Sequence, residues 1–229
     1  MIATYINAIA VIIGSIFGLL FKKYISERFK TIIFQGAALA SLVMGIIMVI
    51  KGKNIVLVIF SIIIGGIFGE LLRIEKRLDS LGTWLKKKTK SSDDEGFTRG
   101  FVLSSTTFLV GAMTIIGSID AAAGSYDVLL TKSIMDGTIS IVFASVLGFG
   151  VIFSSISILI YQGGLTLLAS SLSFIKNPYY LNDISAVGGI LVFAIGINLL
   201  ELKKIKVANF LPAIFLVVLA LYIKISFGY

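Results

Sequence analysis

The chain has 229 residues, of which 57% are hydrophobic and 14% charged, with a net charge of +8 and a mean hydropathy of +1.03. A soluble domain is about 45–50% apolar and about 25% charged, and a soluble fold of this length has too little interior to hide so much apolar surface. Cysteine and histidine are absent from the sequence, which excludes disulfides, thiol catalysis and zinc or haem sites built on those side chains.

A spanning helix needs about 20 apolar residues to cross roughly 30 Å of hydrocarbon. The first such segment is Ala3–Phe21. It lacks a basic leader and a small-residue cleavage site, so it reads as a retained span rather than a signal peptide. A loop with Lys22, Lys23, Arg28 and Lys30 leads to the apolar segments Ile32–Ile50 and Ile55–Leu72. A helical continuation is expected over Glu70–Trp84, with Glu70 paired near Arg73. The basic run Lys76, Arg77, Lys86, Lys87, Lys88 and Lys90 follows, then the polar linker Ser91–Gly96. Residues 73–99 thus read as a basic helical hairpin and linker within a single transmembrane domain, 1–229. The positive-inside rule makes this stretch cytoplasmic, which puts the N-terminus outside.

Phe101–Ile119 is the next apolar segment. Asp127–Ile175 is apolar but interrupted, and reads either as one long span with a half-helix or as two spans meeting near Gly148-Phe149-Gly150. Ile184–Leu202 and Val207–Ile223 complete the chain. The fold expected is an all-α polytopic transmembrane bundle of seven or eight spans. Eight places Lys203, Lys204 and Lys206 inside, and charge bias favours it. A weak internal repeat relates Gln35–Glu70 to Val187–Leu221: each has small residues, a mid-span glycine, a Lys-bearing loop and a second apolar span. Eight spans make spans one to three and six to eight an inverted pair, whereas seven make them parallel. Chance similarity of two apolar hairpins explains the match equally well.

Ionisable groups are costly in lipid and point to function. The richest region carries Ser104, Ser105, Thr106, Thr107, Thr114, Asp120, Asp127, Lys132 and Asp136. Lys132 and Asp136 share a helical face at i,i+4 and are expected to pair. Gly117 with Asp120 and Asp136 with Gly137 bracket a broken or re-entrant helix around 118–137. Such backbone is tolerated only against protein or water, so these residues form a solute or ion path, with Gln162 as a further polar group. The rival reading is a plain outer loop ending in an interfacial Lys–Asp pair. Asn7, Gln35, Asn198 and Asn209 read as groups that tie helices together. Gly14, Gly18, Gly65, Gly69, Gly189 and Gly196 permit close helix approach, within the bundle or in a homo-oligomer. No enzyme motif is present, no cofactor or metal is implied, and the basic residues beside spans set orientation rather than bind nucleic acid.

The runs FVLSSTTFLVGAMTIIGSIDAAAGSYDVLLTKSIMDG, FASVLGFGVIFSSISILIYQGGLTLLA and ISAVGGILVFAIGINLLELKKIKVANFLPA resemble the bacterial YqgA/YdfK-like membrane proteins. These are grouped as domain of unknown function 554. NAIAVIIGSIFGLLFKKYISERFK and GELLRIEKRL are similar too. The resemblance implies a bacterial cytoplasmic-membrane protein described only as a transport protein, and carries over no site residues. Where the family has proline after the glycine of the central motif, this chain has Ala112, which argues against a fixed break there. Two functions follow as expectations. One is a small secondary transporter or channel for a cationic solute or ion. The other is a scaffold or sensor that works through the basic loop.

Overall fold

The structure is a computed structural model and describes residues 1–89, 96–172, 175 and 177–226. The described residues form eleven α-helices and no strand. In chain order these are α1 (Ile2–Lys22), α2 (Glu27–Val49), α3 (Ile55–Leu72), α4 (Ile74–Thr89), α5 (Gly96–Leu109) and α6 (Ala112–Ala122). They continue as α7 (Asp127–Leu147), α8 (Ser154–Leu167), α9 (Ala169–Leu172), α10 (Pro178–Leu199) and α11 (Pro212–Ser226). Among the described residues, seven helical segments are long and apolar enough to cross a bilayer, and α5 with α6 makes an eighth when the bent pair counts as one span. The interrupted stretch resolves into two spans meeting at Gly148: α7 ends at Leu147, and a 3-10 turn over Phe149–Phe153 runs into α8. The linker expected at Ser91–Gly96 lies outside the described residues but for Gly96.

Two expectations are corrected. The break expected around 118–137 lies earlier, between α5 and α6, where the axis bends by 63°. Gly111 carries φ +147° there, a conformation that glycine alone adopts readily, so the bend forms with Ala112 and needs no proline. Residues 118–137 instead hold the end of α6, a turn around Gly124 and an unbroken α7. The helical continuation past Glu70 is also interrupted. Arg73 caps α3 in the left-handed region (φ 52°), and α4 starts afresh at Ile74.

The chain forms two compact units. The first comprises Met1–Phe34, Arg77–Leu109 and Met113–Ser173. Its frame is α1 against α7. A Cβ on Gly14 would stand 2.1 Å from the Gly137 carbonyl oxygen, and one on Gly18 2.2 Å from that of Ile141. Only backbone without a side chain fits there, and small residues let spanning helices come this close. Ala3 clusters with Leu129, Ala10 lies against Gly137, and Gly18 meets Ile141 and Ala144, so α1 and α7 run parallel. By contrast α8 is antiparallel to α1, pairing Thr4 with Thr166 and Asn7 with Gln162. α4 lays Leu78, Leu81 and Leu85 on Phe97 and Phe101 of α5.

The second unit comprises Gln35–Lys76, Val110–Ala112 and Phe174–Tyr229. α2 and α10 cross antiparallel: Gly45 meets Gly189 and Phe193, while Gly196 meets Ala38 and Leu42. α3 and α11 are also antiparallel, with Gly65 on Ala213 and Gly69 on the backbone of Asn209. Each end is tied by polar side chains. The Asp183 carboxylate accepts from the backbone N–H groups of Lys53 (2.6 Å) and Asn54 (3.0 Å) and from Asn54 Nδ2 (2.7 Å), and Lys224 Nζ donates to Asn54 Oδ1 at 2.6 Å. At the other end Glu70 accepts from Lys206 Nζ (2.9 Å) and Asn209 Nδ2 (2.6 Å), and Glu75 accepts from the Ala208 N–H at 2.9 Å. The Glu70 carboxylate thus takes its side-chain hydrogen bonds from Lys206 and Asn209, while Arg73 donates its backbone N–H to the Glu70 carbonyl at 3.0 Å.

α1 and α7 run parallel, so the number of crossings between their starts is even. If α1, α2 and α3 each cross, chain alternation makes the bent α5–α6 pair cross as well, which gives eight. The tie between Lys206 and the end of α3 agrees, because it puts the α10–α11 loop on the side from which α4 departs.

A buried ion pair and two amides in the first unit

The sequence places its polar and small residues on one face of α1. Ala3, Thr4, Asn7, Ala8, Val11, Gly14, Ser15 and Gly18 are buried, while Ile2, Tyr5, Ile6, Ile9, Ile13, Ile16 and Phe17 are exposed. The polar and small residues thus face protein and the large apolar ones face outward, an arrangement suited to lipid. α7 follows the same rule with Leu129, Lys132, Ser133, Asp136 and Ser140 inward.

These faces meet in one cluster. Lys132 Nζ pairs with Asp136 Oδ2 across one turn of α7. Asn7 Nδ2 donates both to Asp136 Oδ2 and to Gln162 Oε1 of α8, each at 3.0 Å. Relative exposures are 0% for Asn7, 6% for Lys132, 5% for Asp136 and 1% for Gln162, so the expected pair is buried inside the bundle and not interfacial. Asp136 is the tenth residue of the 21-residue α7, about 14 Å along its axis at 1.5 Å per residue, close to the helix midpoint.

Antiparallel α1 and α8 stack the surroundings in three layers. Toward the start of α1 the layer is hydroxylic: Thr4 and Thr166 oxygens are 3.5 Å apart, and Thr166 and Ser118 donate to the Gln162 carbonyl at 2.9 and 3.4 Å. The charged and amide layer follows. One turn further, Val11, Phe108 and Ile158 form an apolar cluster with Ile139 against it. Phe143 stacks on Phe108 at 6.4 Å between ring centroids, and Phe34 tilts against Phe143 at 6.5 Å.

Two polar atoms in the charged layer lack hydrogen-bond partners among the described residues, Asn7 Oδ1 and Gln162 Nε2. Leaving a buried polar atom unpaired costs about 1–3 kcal/mol. Native proteins keep few such atoms, and those they keep ask for a reason. Here one acceptor and one donor remain open beside an ion pair. No group of three or more Asp or Glu side chains suited to a metal occurs among the described residues.

The structure brings together only part of the residues expected from sequence. Lys132, Asp136 and Gln162 join the cluster. Asp127 is exposed in the first turn of α7 and Asp120 is half-buried near the end of α6. Ser104, Thr106 and Thr107 donate back to carbonyls three or four residues earlier, Thr114 donates to the Phe108 carbonyl, and Ser105 and Ser157 bond to one another at 2.8 Å. The protons of these hydroxyls are thus used in bonds within a helix or between neighbouring helices. Sequence reasoning treated Asn7 as a helix tie and passed over Thr4 and Thr166. The signal for Asn7 was the polar and small stripe Thr4, Asn7, Gly14, Ser15, Gly18 on an otherwise apolar helix. Gly14, Gly18, Gly65, Gly69, Gly189 and Gly196 all pack inside their own units.

Residues 2–222 match the family described as "Protein of unknown function (DUF554)". The chain is 33% identical over 233 residues to "Uncharacterized membrane protein YdfK" of Bacillus subtilis strain 168, covering 100% of this chain and 99% of that protein. It is 30% identical over 221 residues to "Uncharacterized protein YqgA" of Escherichia coli strain K12, covering 94% of each. No solved structure matches.

Proposed function

For this chain, which belongs to the DUF554 family of membrane proteins, we propose a small secondary transporter or channel-like protein that acts on a small cationic solute or ion. The observation that carries the reading is the Lys132–Asp136 pair, buried near the middle of a spanning helix beside an open acceptor on Asn7 and an open donor on Gln162. Ionisable groups at that depth are expensive and normally mark a substrate or ion path. The antiparallel pairs α1 with α8, α2 with α10 and α3 with α11 add support. They are the pairs an inverted repeat of spans one to three and six to eight would make, and such repeats recur in transporters.

The membrane is bacterial and cytoplasmic in this reading, with the N-terminus outside. Chain alternation through eight spans then collects Lys22, Lys23, Arg28, Lys30, the basic face of α4 and Lys203–Lys206 inside, as the positive-inside rule requires. No catalysis is assigned, because the cluster lacks a nucleophile paired with a base.

A scaffold or sensor role keeps one supporting feature, the outward face of α4, where Trp84 is 53% exposed and Lys88 Nζ lies 5.0 Å from its ring centroid. Two variants separate the readings in reconstituted vesicles. Asp136→Asn is expected to abolish solute movement while the folded protein persists. Neutralising Lys86, Lys87 and Lys88 to Gln is expected to leave movement intact. Unchanged flux in Asp136→Asn overturns the Asp136 pathway, and no flux with the natural chain overturns the transport reading.

A further inference from the structure

The geometry points to a primary-ammonium solute as the guest of the Asp136 cluster, with Lys132 as a tethered stand-in that must leave for the guest to bind. This rests on the pathway reading above and names its substrate class.

The argument starts from what already occupies the carboxylate. Asp136 Oδ2 holds the primary ammonium of Lys132 and accepts from Asn7 Nδ2. An ammonium carries three N–H donors and no acceptor. Asn7 Oδ1, an unpartnered acceptor on a residue with no exposure, belongs to the same side chain that anchors Asp136. A free primary ammonium replacing Lys132 would find the carboxylate and this second acceptor in one place. An anion would meet only one positive group, already neutralised by Asp136. A quaternary ammonium has no N–H to offer either acceptor.

The layers on each side suit the rest of such a molecule. The Thr4, Ser118 and Thr166 hydroxyls stand on one side of the charged layer. Val11, Phe108 and Ile158 stand on the other. A short alkyl chain would lie against the apolar layer with its ammonium on Asp136. A two-carbon chain ending in a hydroxyl would reach the threonine layer instead.

Self-occupancy has a measurable consequence. A guest that binds only when Lys132 is away has its apparent affinity reduced by the fraction of time the site is open. Removing the lysine head lifts that competition. In the detergent-solubilised full chain, thermal unfolding is measured at increasing methylammonium, ethylammonium and ethanolammonium chloride. Tetramethylammonium chloride and sodium acetate serve as comparisons. The three primary ammonium ions are expected to raise the unfolding temperature with saturation, and the comparisons are not. Lys132→Met is expected to lower the half-saturating concentration about tenfold, the value for a site open one-tenth of the time. Asp136→Asn is expected to remove the response.

Where Lys132→Met fails to fold, the selectivity series on the natural chain decides. Tetramethylammonium or acetate stabilising as well as methylammonium overturns the amine assignment. If acetate crosses the vesicle membrane and Asp136→Asn stops it, the pathway stands and the amine assignment falls. If no solute binds or crosses at all, both fall.

Discussion

Replacing Gly14 by alanine tests whether close packing of α1 on α7 holds the polar cluster in register. The added Cβ would sit 2.1 Å from the Gly137 carbonyl oxygen and 2.3 Å from Ser140 Oγ. Ordinary contact begins near 3.4 Å, so α1 must retreat by about 1.3 Å, and overpacking of this kind costs about 1–3 kcal/mol. A retreat of that size also stretches the 3.0 Å bond from Asn7 Nδ2 to Asp136 Oδ2, and losing a hydrogen bond to a charged group adds about 1.5–3 kcal/mol. Unfolding free energy in mixed micelles, titrated with dodecyl sulfate, reads the total. Gly36→Ala and Gly164→Ala are the matched controls, because a Cβ at either position meets nothing within 4 Å. Alanine there is expected to be neutral or to stabilise by up to about 1 kcal/mol through helix propensity. The reasoning is refuted if Gly14→Ala lies within about 0.5 kcal/mol of the natural chain, the range of ordinary surface changes.

Three further outcomes are expected. In a double-mutant cycle, Lys132→Met alone strands a buried carboxylate and costs about 3–5 kcal/mol, whereas Lys132→Met with Asp136→Leu recovers most of that loss. Additive losses in the same micelle titration would contradict a direct pair. Asp183→Ala removes the acceptor for two backbone N–H groups and Asn54 Nδ2, and should cost at least about 2 kcal/mol with faster hydrogen exchange at Lys53 and Asn54. Single cysteines introduced at Lys87 and Lys204 of this cysteine-free chain should react with impermeant maleimide from the same side of the membrane, and one at Ser125 from the other side. Labelling of positions 87 and 204 from opposite sides contradicts eight spans.

Much of the architecture was legible from hydropathy and charge, since lipid imposes a length on each span and lysines set its direction. Gly148 marked the junction of two spans because glycine permits a break in the backbone, and it takes φ +86° there. The Lys132–Asp136 pair followed from helical spacing alone. The cluster around it did not. Asn7 and Gln162 are 155 residues apart in sequence, and nothing local to either says that α1 and α8 lie side by side. Asp127 misled for the opposite reason: it stands in the same polar stretch as Asp136, but at the first residue of α7, where the helix emerges and the side chain is exposed. In the hydroxyl run from Ser104, Ser104, Thr106 and Thr107 donate to their own preceding turn, which commits their protons and leaves their oxygens as acceptors. Gly111 was discounted for want of a following proline. A glycine at positive φ bends the chain without one.

The account rests most heavily on Asp136 as the group that receives a solute inside the membrane. Solid-supported membrane electrometry on proteoliposomes measures this directly, as a charge displacement when a methylammonium concentration jump meets the protein. The natural chain should give a saturable transient current, and Asp136→Asn, reconstituted at equal density and shown to be folded, should give none. Equal currents from the two proteins would contradict the account.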